Sequence, residues 1–314
     1  MEILGTTRLV ALLGDPVAHS LSPAMHNAAF GRYGLDFAYV PLRVPSAGLK
    51  IALDALRVFN FRGANVTLPH KTAVMPFLDD LTDIARAIGA VNTIIQEDGR
   101  LIGTTTDPEG FLEGFRERGH SFIGRSVAIL GNGGSARTIA YALLMQDRPK
   151  RVVLAARDAE KSRRLAAEIA DRLGLGKGGA MPAPECVTLS EYASIREGID
   201  VVVNTTPIGM HPNVESSPLR REDLVPGQVV YDIVYAPERT RLLRDAEALG
   251  LGTVGGLGML VHQGRASFEC WTGIKPDAAS YYAAARAKLS RGIGEPRPPA
   301  RPAPPAGPGV SEDP

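Results

Sequence analysis

Four polar clusters carry residue types able to do chemistry, and each follows an apolar run. In Gly14-Asp15-Pro16-Val17-Ala18-His19-Ser20-Leu21-Ser22-Pro23, two serines lie two positions apart just before a helix. Side chains at i and i+2 of an extended segment point the same way, so the hydroxyls of Ser20 and Ser22 can converge on one anion, or one of them can cap the helix. In Asn65-Val66-Thr67-Leu68-Pro69-His70-Lys71 a strand ends in polar residues followed by a lysine, and strand ends are where α/β proteins place their sites; a solvated surface lysine is the plain alternative. Asp107 in Thr104-Thr105-Thr106-Asp107-Pro108 also follows a strand directly, where it can equally cap a helix from Pro108.

The fourth cluster is a turn, Gly131-Asn132-Gly133-Gly134-Ser135-Ala136, between the apolar run 126–130 and a helix-like stretch from Arg137 to Met145. Strand, glycine turn and helix suit a dinucleotide pyrophosphate: glycines let the backbone turn sharply near phosphate oxygens, and N–H groups at the helix start supply donors and positive dipole. Ala136 stands where that fingerprint takes Gly or Ala. The turn is central in the chain, so the roughly 125 residues before it must form something else, for which a substrate-binding part is the natural candidate.

The elements that would position these clusters are legible as alternating patterns. Strands are expected at 9–14, 37–42 and 61–66, with helices at 23–33 and 49–58, then helical stretches at 71–78 and 82–88. Runs 90–96 and 100–104 flank Asp98-Gly99, a hairpin signal. Beyond the glycine turn, strands at 151–156, 200–204 and 228–233 alternate with helices at 159–173 and 240–249, which implies right-handed crossovers and a parallel sheet. Helices at 259–271 and 277–290 close the folded part, 174–184 reads as a surface insertion, and the Pro-rich stretch 295–314 reads as a disordered tail.

The chain has 314 residues, 44% of them hydrophobic and 22% charged, with a formal net charge of +1, which is ordinary for a soluble two-domain protein. No basic field draws it to nucleic acid or an anionic membrane. Cys186 and Cys270 form no C-x-x-C pair, so zinc or redox chemistry is not expected. Glu2 near the N-terminus, no signal-like apolar region and no apolar stretch of roughly 18 or more residues lead to a cytoplasmic expectation.

Taken together, the motifs resemble the shikimate dehydrogenase family, which includes the quinate/shikimate dehydrogenases. The carriers are G-D-P-V-A-H-S-L-S-P-A-M-H-N (14–27), N-V-T-L-P-H-K (65–71), A-V-N-T (90–93), T-T-D (105–107), G-N-G-G-S-A-R (131–137), N-T-T-P-I-G-M (204–210), Y-D-I-V-Y-A-P (231–237) and G-L-G-M-L-V-H-Q (256–263). The resemblance implies reversible NADP-dependent reduction of 3-dehydroshikimate to shikimate in aromatic amino-acid (chorismate) biosynthesis. It implies Lys71 and Asp107 as catalytic residues, Ser20 and Ser22 on the substrate carboxylate, and Asn65, Thr67, Asn92, Tyr235 and Gln263 around the substrate. It places the cofactor on Gly131, Asn132, Gly133, Gly134, Ser135, Ala136, Arg157, Lys161, Thr205, Met210 and Gly256, and it implies no metal. His19, His26, His70 and His262 lie near motifs without an assigned catalytic role.

The expected architecture is α/β: an N-terminal substrate domain, 1–106, completed by 259–290, a Rossmann-like dinucleotide-binding domain, 107–258, and a tail, 291–314. Two departures from the family pattern stand out, Thr105 for the usual Asn and Pro108 for the frequent Gly, and they leave open a quinate or aminoshikimate dehydrogenase paralogue. A non-catalytic sensor of pathway metabolites or NADP is the rival from another class, against which retention of both Lys71 and Asp107 argues. The segment Ala156-Arg157-Asp158-Ala159-Glu160-Lys161 matches the NADP pattern Asn-Arg-Thr-x-x-Arg/Lys at Arg157 and Lys161, whereas Asp158 could accept from a ribose hydroxyl and repel phosphate, leaving NAD as the alternative cofactor. The expected assembly is a monomer or homodimer.

Overall fold

A computed structural model describes residues 2–175 and 182–291. Two six-stranded sheets organise them. The first contains β1 (Arg8–Gly14), β2 (Phe37–Arg43), β3 (Gly63–Val66), β4 (Asp80–Leu81), β5 (Thr93–Glu97) and β6 (Arg100–Thr104), in the order β2-β1-β3-β5-β6-β4. Its β2, β1 and β3 run parallel, while β5 is antiparallel to both β3 and β6. The helices among these strands are α1 (Ser22–Arg32), α2 (Leu49–Val58) and α3 (Asp83–Ile88).

After α4 (Asp107–Arg116), the second sheet contains β7 (Ser126–Leu130), β8 (Arg151–Ala156), β9 (Glu185–Thr188), β10 (Val201–Asn204), β11 (Val229–Asp232) and β12 (Gly252–Gly255). Their order is β12-β11-β10-β7-β8-β9, and every pairing is parallel. The connecting helices are α5 (Gly134–Ala142), α6 (Ala159–Leu173), α7 (Tyr192–Ile195) and α8 (Arg241–Ala248). The order reverses between β7 and β10, the kind of switch point that opens a crevice at the strand ends.

Helices α9 (Leu257–Thr272) and α10 (Ala278–Leu289) return to the first sheet. Val10 and Leu12 of β1 share a core with Met25, Phe30 and Tyr39 and with Val261, Phe268, Trp271 and Tyr281 from the returning helices. Ala11 and Leu13, pointing the other way, pack with Leu49, Leu53, Leu56 and Val66. A strand covered on both faces has no place for polar alternation, which is why β1 is apolar almost throughout.

Several contacts tie the sheets together. At the crossing of α4 and α9, a Cβ on Gly110 would lie 2.6 Å from Gln263 Cβ and 2.7 Å from the Met259 carbonyl oxygen, and one on Gly114 would lie 2.7 Å from the Tyr231 hydroxyl. Only glycine lets these backbones approach so closely, and the approach sets the separation of Asp107 from Gln263. On the other side, Arg172 of α6 donates to the carbonyls of Arg86 and Ala87 at 3.3 and 3.1 Å, at the end of α3.

The hairpin between β5 and β6 forms as the Asp98-Gly99 signal predicts, with φ +48° and +79° at the two turn residues. The helical stretch expected at 71–78 is instead a run of turns ending in a short 3-10 segment, Met75–Phe77. Pro76 lacks a donor for a helical ladder, and the Lys71 carbonyl is taken by Val91 N–H at 2.8 Å. Strands β4, β9 and β12 have no counterpart in the sequence reading: Asp80-Leu81, Glu185–Thr188 and Gly252–Gly255 carry no sustained apolar run. The helix expected from Arg137 to Met145 starts at Gly134 and passes into a π turn, Leu143–Asp147, closed by Arg148 at φ +45°. The proposed tail beyond Arg291 and residues 176–181 of the proposed insertion lie outside the described residues.

Candidate active site

Lys71 and Asp107 reach one another from two different strand ends. The Lys71 ammonium donates to Asp107 Oδ2 at 2.6 Å, with the lysine side chain one-third exposed and the aspartate side chain nearly buried. Asp107 opens α4, yet its carboxylate makes no cap bond; its other oxygen accepts from Asn92 Nδ2 at 2.8 Å. The capping alternative for Asp107 therefore falls away in the folded chain. A buried carboxylate engaged by two donors is aimed, and one Lys71–Asp107 bond leaves the other hydrogens of the Lys71 nitrogen for another acceptor.

Asn92 is fixed on both sides of its amide. Its oxygen accepts from Thr93 Oγ1 at 2.8 Å and from Thr106 N–H at 2.9 Å, and its nitrogen also approaches Gln263 Oε1 at 3.2 Å. Gln263 donates to the Leu260 carbonyl at 2.9 Å. Behind this row, Ser267 lies one helical turn beyond Gln263 and is wholly buried; its hydroxyl meets Thr93 Oγ1 at 2.8 Å and Thr106 Oγ1 at 3.0 Å. Asn65 is also buried, and both ends of its amide are engaged, the oxygen by the Tyr39 hydroxyl at 2.8 Å and the nitrogen by the Asn92 carbonyl at 3.0 Å and Ser267 at 3.1 Å. Thr93, Thr106 and Ser267 escape the sequence reading as individual site residues; the i, i+4 spacing of Ser267 from Gln263 on one helix face is the signal that finds it.

Thr67 and the serine motif meet through Gly14, where any Cβ would collide with the Thr67 methyl group, and Asp15 N–H reaches the Leu68 carbonyl at 2.9 Å. Ser20 Oγ accepts from Ser22 N–H at 3.2 Å, a local bond at the start of α1, and Ser22 is buried. Tyr235 leaves the end of β11 and packs against the core built on α1, α9 and β1, so the strand ends of both sheets converge there. Burial raises its phenol above the ordinary tyrosine range. Among the motif histidines, His70 Nε2 lies 2.6 Å from the Val44 carbonyl and His262 Nε2 lies 2.8 Å from Glu117 Oε2, both structural contacts. Among the described residues, no group of three or more His, Cys, Asp or Glu is placed to hold a metal ion, and no helix is long and apolar enough to cross a membrane.

The glycine turn follows β7 and opens α5. Gly131 sits at φ +113°, and a Cβ there would lie 2.8 Å from Thr205 Oγ1; Gly133 and Gly134 face open space and are exposed, as is Ser135. Gly133 is the N-cap of α5, and no side chain caps it. The helix start thus presents bare backbone, a shape and polarity that fit a pyrophosphate. Asn132 turns the other way: its Nδ2 donates to the Asp158 carbonyl at 2.9 Å and Ser162 Oγ at 3.2 Å, tying the turn to α6. Ala136 is buried under the turn. Arg157 and Lys161 are exposed at the end of β8 and the start of α6, and the Asp158 carboxylate between them caps α6 by accepting from Lys161 N–H at 2.9 Å. Thr205 donates to the Leu130 carbonyl at 2.7 Å, Met210 is exposed, and Gly256 lies against the backbone of Ile233 where a Cβ has no room.

Known proteins match this geometry and sequence. Residues 12–94 match the family model described as shikimate dehydrogenase substrate binding domain, and residues 256–286 the one described as shikimate 5'-dehydrogenase C-terminal domain. The shikimate dehydrogenase (NADP(+)) of Moorella thermoacetica is 44% identical over 282 residues, covering 89% of this chain and 92% of the relative. A solved shikimate dehydrogenase in complex with NADP+ superposes with a TM-score of 0.86 at 37% identity, covering 92% of this chain and 98% of the other. The Thermus thermophilus shikimate 5-dehydrogenase in complex with NADP(H) and shikimate gives 0.79 at 36% identity, with 90% and 99% covered. With two sheets of the same kind and this degree of identity over nearly the whole described chain, the protein belongs to the shikimate dehydrogenase family.

Proposed function

We propose that this chain catalyses the reversible NADP-dependent reduction of 3-dehydroshikimate to shikimate, with Lys71 and Asp107 as the catalytic pair. The observation that carries this reading is the Lys71–Asp107 contact at 2.6 Å, formed at the ends of β3 and β6 beside Asn92 and Gln263. A bound nicotinamide supplies or accepts the hydride. When the substrate carbonyl is reduced, negative charge develops on its oxygen, and an ammonium within hydrogen-bond reach lowers that barrier and delivers the proton. Lys71 has that ammonium, and Asp107 fixes its direction and can accept from a neighbouring substrate hydroxyl.

Asn92 and Gln263 are set to orient ring hydroxyls, since Thr93, Thr106 and the Leu260 carbonyl hold their amides. Ser20, Ser22 and Thr67 supply hydroxyls for a carboxylate. Asn65, with its amide engaged inside the protein, supports the floor of this site. The exposed Arg157 and Lys161 offer the charge that a 2′-phosphate needs, and the Asp158 carboxylate is occupied as a helix cap, which supports NADP over NAD. A monomer or homodimer working in the cytoplasm is the accompanying expectation.

The deciding experiment is a spectrophotometric assay of the purified protein that crosses shikimate and quinate with NADP+ and NAD+. Shikimate with NADP+ should give the highest kcat/KM. Higher kcat/KM with quinate would assign the chain to the quinate branch of the family, and no turnover with any pair would leave only the sensor reading.

A further inference from the structure

Asp232 is a wholly buried carboxylate that neither the catalytic pair nor the cofactor turn uses. It stands at the last position of β11, in register with Asn204 at the last position of β10. Its Oδ1 accepts from Asn204 Nδ2 and from Val234 N–H, each at 3.0 Å, and its Oδ2 accepts from Thr240 Oγ1 at 2.7 Å. Asn204 passes the constraint on: its oxygen accepts from Thr206 N–H at 3.0 Å and Thr206 Oγ1 at 2.7 Å. The next residue, Thr205, is bonded to the Leu130 carbonyl and touches the space above Gly131. Val234 leads to Tyr235, and the backbone of Ile233 and Val234 is the surface on which Gly256 lies. Thr240 caps α8 by accepting from Leu243 N–H.

One carboxylate therefore ties together the loops that leave β10 and β11 and supports the start of α9. These loops lie on the β10–β11–β12 side of the switch point, while the glycine turn, Arg157 and Lys161 lie on the β7–β8 side. A dinucleotide spanning the crevice puts its adenosine half on one side and its nicotinamide half on the other. Building on the cofactor reading above, we propose that Asp232 is a positioning residue that shapes the nicotinamide half of the cofactor site without touching the cofactor. Its three partners are all donors, so an ionised carboxylate satisfies them and a neutral side chain does not. The cost of burying the charge is visible in its pKa, which desolvation raises to about 6, with the bonds from Thr240, Val234 and Asn204 opposing the rise.

The test compares two probes in wild type, Asp232→Ala and the isosteric Asp232→Asn: NADP+, and adenosine 2′,5′-bisphosphate, which carries only the adenosine half. Asp232→Ala should raise the KM for NADP+ at least tenfold, and Asp232→Asn severalfold, because its amide oxygen can keep two of the donors. The inhibition constant of adenosine 2′,5′-bisphosphate should stay within twofold in both. Equal weakening of the two probes would mean that Asp232 merely holds the domain together, and unchanged NADP+ kinetics in both variants would mean that it positions nothing; either result overturns the proposal alone. A wild-type protein that neither reduces NADP+ with shikimate nor binds the bisphosphate overturns the cofactor reading and the proposal with it.

Discussion

The two oxygens of Asp107 are divided between two partners, Lys71 Nζ at 2.6 Å and Asn92 Nδ2 at 2.8 Å, so the carboxylate is an orienting acceptor for the Lys71 ammonium. Replacing Lys71 by alanine should lower kcat by ~10²-fold or more with shikimate KM within a few-fold, because the ammonium acts chiefly on charge that appears in the transition state. Steady-state kinetics with shikimate and NADP+ check this. Retention of more than about a tenth of wild-type turnover would remove Lys71 from the mechanism, given the ~10² or more typical of general acid catalysis.

The Ser20 hydroxyl bonds to Ser22 N–H, so a structural role for the serine pair competes with substrate binding. Replacing both by alanine should raise the Michaelis constant for shikimate at least ~10-fold, since each hydrogen bond to a charged group contributes ~1.5–3 kcal/mol. NADP+ kinetics should not change. A lower melting temperature with unaltered substrate kinetics is the result expected of a helix cap alone.

Arg157→Ala should weaken NADP+ far more than NAD+, because a guanidinium clamps a phosphate that NAD+ lacks. Asp158→Thr removes a negative charge while keeping a side chain able to cap α6, so it should shift preference toward NADP+ with little change in stability. The two ratios of kcat/KM, measured side by side, must move in opposite directions. An Arg157→Ala ratio equal to that of wild type contradicts the assignment.

Gly110 and Gly133 make a contrasting pair. Gly110→Ala drives a methyl group against Gln263 and the Met259 carbonyl, and overpacking of this kind costs ~1–3 kcal/mol. Denaturant unfolding should register that loss, together with lower kcat as Gln263 and Asp107 separate. Gly133→Ala meets nothing within 4 Å, so stability should hold while NADP+ affinity falls, the methyl group occupying the approach to the helix start.

Acid should destabilise the fold through His26. The ring is wholly buried, stacked on Tyr39 with centroids 4.5 Å apart, and Nδ1 faces the Tyr281 hydroxyl at 3.1 Å. Desolvation lowers its pKa from 6.5 to about 3. The unfolded chain therefore binds a proton near pH 6.5 that the folded chain refuses, so this contribution to stability is complete above pH 6.5 and is lost as pH falls from there toward 3. Between about pH 7 and about pH 4 the wild type should lose roughly 3 kcal/mol more than His26→Phe, in urea unfolding at both pH values. Equal losses in the two proteins would show that His26 is not the proton acceptor.

What consecutive residues determine was legible from the chain alone. The run 126–130 followed by glycines could only be a strand feeding a tight turn, Asp98-Gly99 signalled a hairpin, and the apolar run at 9–14 read as a strand. These are local consequences of backbone freedom and side-chain periodicity. Convergence is of another kind. Asn92 and Gln263 are 171 positions apart and meet because two glycines on α4 let α9 approach within backbone contact, a spacing that no window of sequence contains. Asp232 and Asn204 become partners only when β10 and β11 align in register, and Ser267 becomes the hub behind Asn92 only when α9 returns to the first sheet. The short strands β4, β9 and β12 likewise take their pairing from neighbours rather than from their own pattern, because Asp80-Leu81, Glu185–Thr188 and Gly252–Gly255 lack the apolar run that marks the four-residue β10 and β11.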